Sequence, residues 1–89
     1  MEAVRITSVR TRRKDGVEEI THLAASQEGR TQWLTVQQII AAMEDGKRYF
    51  IQSGSESMLL SVEKNRRGEK ALGVGFEPGP GRLLTLPRG

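Results

Sequence analysis

One antiparallel sheet with a single packed helix, an α+β fold, follows from three features of these 89 residues. β-Branched segments with near-alternating polarity recur on both sides of the chain's middle, as half-buried strands require. One segment, "LTVQQIIAAMEDG", changes to the helical period. Glycine-containing polar turns separate the strand-like segments closely enough that neighbours pair antiparallel. The expected order is ββ-α-ββββ. That gives about five or six strands in one domain over residues 1–89, either an open sheet or one partly closed as a barrel.

The first strand is "AVRITSVRT", where Val4, Ile6 and then Val9 supply apolar positions. Asp15-Gly16 follows as a hairpin turn, because glycine reaches positive φ without strain and aspartate tolerates it. "VEEITHLAA" is the return strand, and "SQEGRTQW" reads as a polar connection. In the helix, Thr35 caps the N-terminus and Gln38 reciprocates three residues later. Leu34 and Ile39 occupy the staple positions, and Val36, Ile39, Ile40 and Met43 form one apolar face. Gly46 ends the helix after Asp45 in the left-handed conformation. Glu44 and Asp45 oppose the macrodipole there, with Lys47 and Arg48 next to them. "KRYFIQ" is a short strand, "SGSE" a turn, and "SMLLSVEK" a strand with Met58, Leu60 and Val62 on one face. "NRRGE" is a turn and "KALGVGF" a weaker strand, with Leu72, Val74 and Phe76 on its filled face and Gly73 and Gly75 on the other. "EPGPG" breaks the chain, and "RLLTLP" is a last short strand stopped by Pro87.

Composition narrows the chemistry. There is no cysteine, which excludes disulfides, thiolate nucleophiles and zinc–thiolate sites and fits a cytoplasmic protein. No apolar run approaches the roughly 18 residues of a membrane span, so no membrane partner is expected. At 36% hydrophobic and 28% charged, the chain is polar but patterned, as a folded domain is. A net charge of +3 is compatible with an anionic partner and does not single one out.

His22 is the sole histidine, and "EEITHL" sets it near two carboxylates. On a helix, Glu19 and His22 would share a face. On a regular strand they point to opposite faces, and Glu18, which shares the face of His22, lies about 13 Å away along the strand. "GVGFEPGPG" lacks the G-x-G-x-x-G pattern and no helix follows it. The serines have no nucleophile elbow and only His22 as a histidine base. The sequence therefore predicts no enzyme, no catalytic residue, no metal ligand and no cofactor.

Two binding readings remain. Trp33, just before the helix, covers the core's edge or anchors an interface with another protein or a second copy in a homodimer. The weak "KALGVGF" strand and the short last strand would also leave a sheet edge open for self-pairing. Alternatively, strict reversal of direction at every element gathers Arg12, Arg13, Lys14, Lys47, Arg48, Arg66 and Arg67 at one end, where they could meet nucleic-acid phosphates. Across an Asp15-Gly16 turn, Arg12 faces Glu19 and Arg13 faces Glu18, so part of that charge is neutralised in the hairpin. A protein-interaction module is the favoured reading and nucleic-acid binding the alternative.

"AVRITSVR", "EITHL", "DGKRYFI" and "LLTLP", in this order and spacing, resemble a small bacterial family called domain of unknown function 3892. The resemblance spans essentially the whole chain. It departs at Met43, where the family tends to an aromatic residue, and at "PGPGR", where it tends to an aspartate-containing turn. What the resemblance implies is a fold; the family has no established activity to carry over.

Overall fold

The computed structural model describes residues 3–75 and 81–89. The fold class is the expected one, with one helix on one open six-stranded sheet. Strands β1 (Ala3–Lys14), β2 (Val17–Gln27) and β3 (Arg30–Thr35) precede helix α1 (Val36–Glu44). Strands β4 (Arg48–Ser53), β5 (Glu56–Lys64) and β6 (Lys70–Val74) follow it. The spatial order is β3-β2-β1-β4-β5-β6, and the sheet does not close into a barrel.

The order corrects the sequence reading at two places. "SQEGRTQW" is not a connection; Glu28 (φ 52°) and Gly29 (φ 77°) form a tight left-handed turn and Arg30–Thr35 returns along β2. "RLLTLP" is not a strand; Leu83–Thr85 is one turn of 3-10 helix, and only Arg88 beyond it bridges to Val9. Thus three strands stand on each side of the helix. The Phe76 end of the expected "KALGVGF" strand and most of the Pro-Gly break lie outside the described residues.

Pairing is antiparallel except where the two halves join. There β1 and β4 run parallel through Ala3–Arg48, Val4–Tyr49 and Arg5–Phe50. The parallel pair exists because β3 makes the strand count before the helix odd. The chain leaves β3 at the end where β1 finishes, called the upper end here, and α1 carries it back to the lower end where β1 begins.

The helix forms as its local signals require. Thr35 is extended (φ −73°, ψ 162°), its hydroxyl accepts from the Gln38 N–H at 3.1 Å, and the Gln38 side chain accepts from the Thr35 N–H at 2.8 Å. Both otherwise unpaired donors are satisfied, which is the purpose of a capping box. Gly46 (φ 99°) donates to Met43 and Lys47 donates to Ala42, closing the C-terminus. Glu44 is met by Lys70 of β6. Since α1 starts at the top of β3 and ends beside the base of β6, it crosses the sheet diagonally.

That diagonal defines the core. Val4, Ile6, Val9, Leu23, Tyr49, Ile51, Leu60, Leu72 and Val74 point from the sheet to Ile39 and Ile40 of α1. Two bulges keep the core face in phase along the long first hairpin. The register slips between Ile6 and Ser8, and again between Arg10 and Thr11 where Thr21 has no partner. A bulge shifts the alternation by one residue, so Val9 returns to the face of Val4 and Ile6.

The helix leaves the upper corner over β1, β4 and β5 bare, and segment 81–89 covers it. Leu83 is fully buried and Leu86 packs beside it. The Val9 N–H donates to the Pro87 carbonyl at 3.0 Å, and the Gly89 N–H donates to the Val9 carbonyl at 3.1 Å. They use the edge of β1 that β4 leaves after Arg5. Arg88 then locks the segment: it donates to the Leu84 and Leu86 carbonyls at 2.7 Å and to both Glu18 carboxylate oxygens at 3.1 and 3.3 Å.

Thr35→Ala removes the cap hydrogen bond and should destabilise the domain by about 1 kcal/mol. That corresponds to a fall in Tm of roughly 4–8 °C by calorimetry or circular dichroism. The hydrogen bonds from Arg88, and next from Thr11 at 2.8 Å, hold the Glu18 carboxyl below its ordinary value of 4.5. A depressed carboxylate stabilises the fold above the unfolded pKa and loses that contribution as pH falls through the folded one. Arg88→Ala should therefore move the Glu18 midpoint up in a carboxyl-carbon NMR titration. It should also weaken the fold more near neutrality than well below the folded pKa, where only the Arg88 bonds to the Leu84 and Leu86 carbonyls are lost. An unmoved midpoint would refute the clamp.

Candidate functional site

The helix and residues 83–86 lie on one face of the sheet, while residues 87–89 run along the edge of β1. Among the described residues, no comparable element covers the other face, which leaves it available for binding. Strand alternation assigns its residues: Arg5, Ser8, Arg10 and Arg12 from β1, His22, Ala24 and Ser26 from β2, Thr31, Trp33 and Thr35 from β3, and Arg48 and Phe50 from β4. Leu59 and Ser57 on β5 stand across from Phe50 and Gln52.

Trp33 is the anchor of this face. It pairs with Ala24, which is only 1% exposed although it points away from the core. The small side chains of Ala24 and Ser8 leave room for the indole to lie over them. The Arg10 guanidinium sits 4.0 Å from the ring centroid, a cation–π contact. Gly89 closes the other edge, so near that a Cβ there would collide with the ring. Trp33 is thus half-buried, its ring sandwiched between its own sheet and Arg10.

A second apolar area lies across the face. Ala3, Phe50, Ser57 and Leu59 line a shallow, mainly apolar groove of about 250 Å³. Leu59 is 51% exposed, one of the two most exposed large apolar side chains. Single exposed apolar residues need no explanation, but two adjacent ones on an uncovered face form a patch.

His22 needs a correction in its reasoning. Because Thr21 is bulged, Glu19 and His22 share this outer face, and Glu18 points to the helix side. The two residues still form no ligand set. Glu19 faces Arg12, with Oε2 3.5 Å from Nε. The Thr21 hydroxyl donates to the Arg10 carbonyl at 3.2 Å, so the 3.0 Å contact with His22 has Nδ1–H as donor. Among the described residues, no three His, Asp or Glu side chains gather as a metal site would require.

The expected basic end divides in two. Arg12, Arg13 and Lys14 stand at the upper end, at the tip of the first hairpin. Lys47, Arg48, Arg66 and Arg67 stand at the lower end, with Arg48 beside Ala3 and the 65–69 turn below β5 and β6. The cause is β3: one additional strand reverses every later element. Arg12 faces Glu19 and Arg13 faces Glu18, as the hairpin register requires. Glu18, however, is taken by Arg88, and Arg13 donates to the Gly16 carbonyl instead. Sequence reasoning missed Arg5 and Arg10 as members of the same surface as Arg12 and Arg48. The signal was their odd spacing from Arg5 to Arg10, which only a bulge reconciles.

Arg10→Ala should uncover the indole. The sole tryptophan's emission should shift to the red, and stability should fall by about 0.5–1 kcal/mol. An unchanged spectrum would show that the ring is shielded without Arg10.

Among the described residues, no helix is long and apolar enough to cross a membrane. Comparison with known protein families, curated proteins and solved structures finds no match to this chain.

Proposed function

We propose that this domain is a non-enzymatic interaction module and that its uncovered sheet face docks an acidic protein partner. The observation that carries the reading is the composition of that face. Trp33, Phe50 and Leu59 supply apolar anchors, and Arg5, Arg10, Arg12 and Arg48 surround them, outnumbering Glu19 and Glu63, the carboxylates of that face among the described residues. Aromatic residues and arginine are the types that dominate binding energy at interfaces. The positive excess steers an acidic partner and opposes face-to-face pairing of two copies.

The same combination supports a second reading, single-stranded nucleic acid with bases on Trp33 or Phe50 and phosphates on the arginines. We also propose membership of the domain-of-unknown-function family named above. In support, "EITHL" and "LLTLP" pack together here: Leu23 and Leu83 share the core, and Pro87 bonds to Val9 of "AVRITSVR". The setting we infer from the cysteine-free composition is cytoplasmic.

The test is affinity capture with the wild type and with the double variant Phe50→Ser/Leu59→Ser, with and without nuclease. Both side chains are at least partly exposed, so the variant should fold. The reading expects a stoichiometric, nuclease-resistant complex with an acidic protein that the variant loses. A complex that dissolves on nuclease treatment, and weakens steeply with salt, would install the nucleic-acid reading instead. Retention of every partner by the variant, or a dimer by size exclusion that the variant abolishes, would overturn it.

A further inference from the structure

The diagonal helix leaves a second bare corner on the helix side of the sheet. It is diagonally opposite the one covered by segment 81–89, at the lower end over β3, β2 and β1. A cleft of about 210 Å³ occupies it. Val4, Ala25 and Leu34 give it apolar walls, and Arg30, Gln32 and Lys47 add polar groups.

Tyr49 makes this more than a packing gap. It lines the cleft and is 2% exposed. Its hydroxyl has no hydrogen-bond partner among the described residues, yet it is not sealed away as an unsatisfied buried atom. The remaining space for that hydroxyl to address is the cleft. Burial raises its pKa above the ordinary 10.0, so at neutral pH it is an O–H donor.

The charges at the mouth agree in sign. Neither Arg30 nor Lys47 has an ion-pair partner among the described residues. Among the described residues, Glu28 is the carboxylate that lines the cleft, and the two cations outnumber it. Apolar walls, a neutral donor and two cations together match an anion with a short hydrocarbon tail. The volume corresponds to roughly seven water molecules at about 30 Å³ each, the heavy-atom count of a five-carbon acid.

We propose that this cleft binds a small aliphatic carboxylate, its tail against Val4, Ala25 and Leu34 and its carboxylate held by Tyr49, Lys47 and Arg30. The cleft is on the opposite side of the sheet from the surface assigned to a macromolecular partner. Its success or failure therefore does not bear on that assignment.

Pentanoate is the probe, with 1-pentanol and pentylammonium as controls of equal size, titrated into the ¹⁵N-labelled full chain at fixed ionic strength. The expected result is saturable shifts of the Ala25, Leu34 and Lys47 amides, with a Kd on the order of 1 mM for so small a ligand. Pentanol should bind weakly and pentylammonium should not saturate. Tyr49→Phe keeps the ring packing and removes the donor, and Lys47→Gln keeps the chain length and removes the charge. Each should weaken pentanoate by roughly three- to tenfold while leaving the rest of the spectrum in place. No saturation by about 50 mM pentanoate, equal binding of the three probes, or indifference to both variants would overturn the assignment.

Discussion

Three residue pairs hold the two halves of this sheet together. Ala3, Val4 and Arg5 of β1 lie parallel to Arg48, Tyr49 and Phe50 of β4, and beyond them the strands separate. A parallel pair cannot be joined by a tight turn; it needs a crossover, and here α1 is that crossover. Because β3 lies two strands away from β1, the helix must travel sideways as well as down. A nine-residue helix spans only about 14 Å, too little to shield a six-stranded sheet. Both corners off its axis are left to other devices. Segment 81–89 seals one with Leu83, Leu86 and the Arg88–Glu18 clamp. The other stays open around Tyr49.

The same constraint explains what was legible in the sequence. The helix signals are local: a cap, a staple and an apolar stripe within a dozen residues, and each is realised in place. The first hairpin is equally local, with Asp15 (φ 54°) and Gly16 (φ 78°) forming its turn. Strand β3 is different. A strand announces itself by alternation when one of its faces is buried. Arg30 and Gln32 are on the helix-side face of β3, but that face borders the open cleft, so polar residues stand where core residues would be expected. The strand was hard to read for the reason the cleft exists.

Missing β3 had consequences out of proportion to its six residues. Each element inserted into an antiparallel path reverses everything after it. Lys47, Arg48, Arg66 and Arg67 therefore moved to the far end from Arg12, Arg13 and Lys14, and the single basic edge was lost. Bulges act in the same way across the sheet rather than along it. The slip at Thr7 is visible in the spacing Val4, Ile6, Val9. The slip at Thr21 leaves the same kind of trace in Ile20 and Leu23, which are three apart and both reach the core, but a regular-strand reading of "VEEITHLAA" passes over it. That slip decides whether Glu19 or Glu18 accompanies His22. "LLTLP" fails for a third reason: leucines three apart fit a tight helical turn as well as a strand end, and only the bare corner over β1 selects the turn.

Stability and binding potential compete for the same surfaces in so small a domain. A chain of about 90 residues has little apolar surface to spare, yet Trp33, Phe50 and Leu59 lie on the uncovered face instead of joining the core. Trp33 is partly compensated, because Arg10 shields its ring and Ala24 gives it a bed. Phe50 and Leu59 have no such shield among the contacts described. Placing them inside would require side chains on the helix face of β4 and β5, where Tyr49, Ile51, Met58 and Leu60 already fill the core shared with α1 and Leu83. The outer apolar pair thus adds little to the fold that it would not add better elsewhere. That imbalance, on a face whose arginines repel a second identical face, is the physical reason for assigning the surface to a partner of opposite charge.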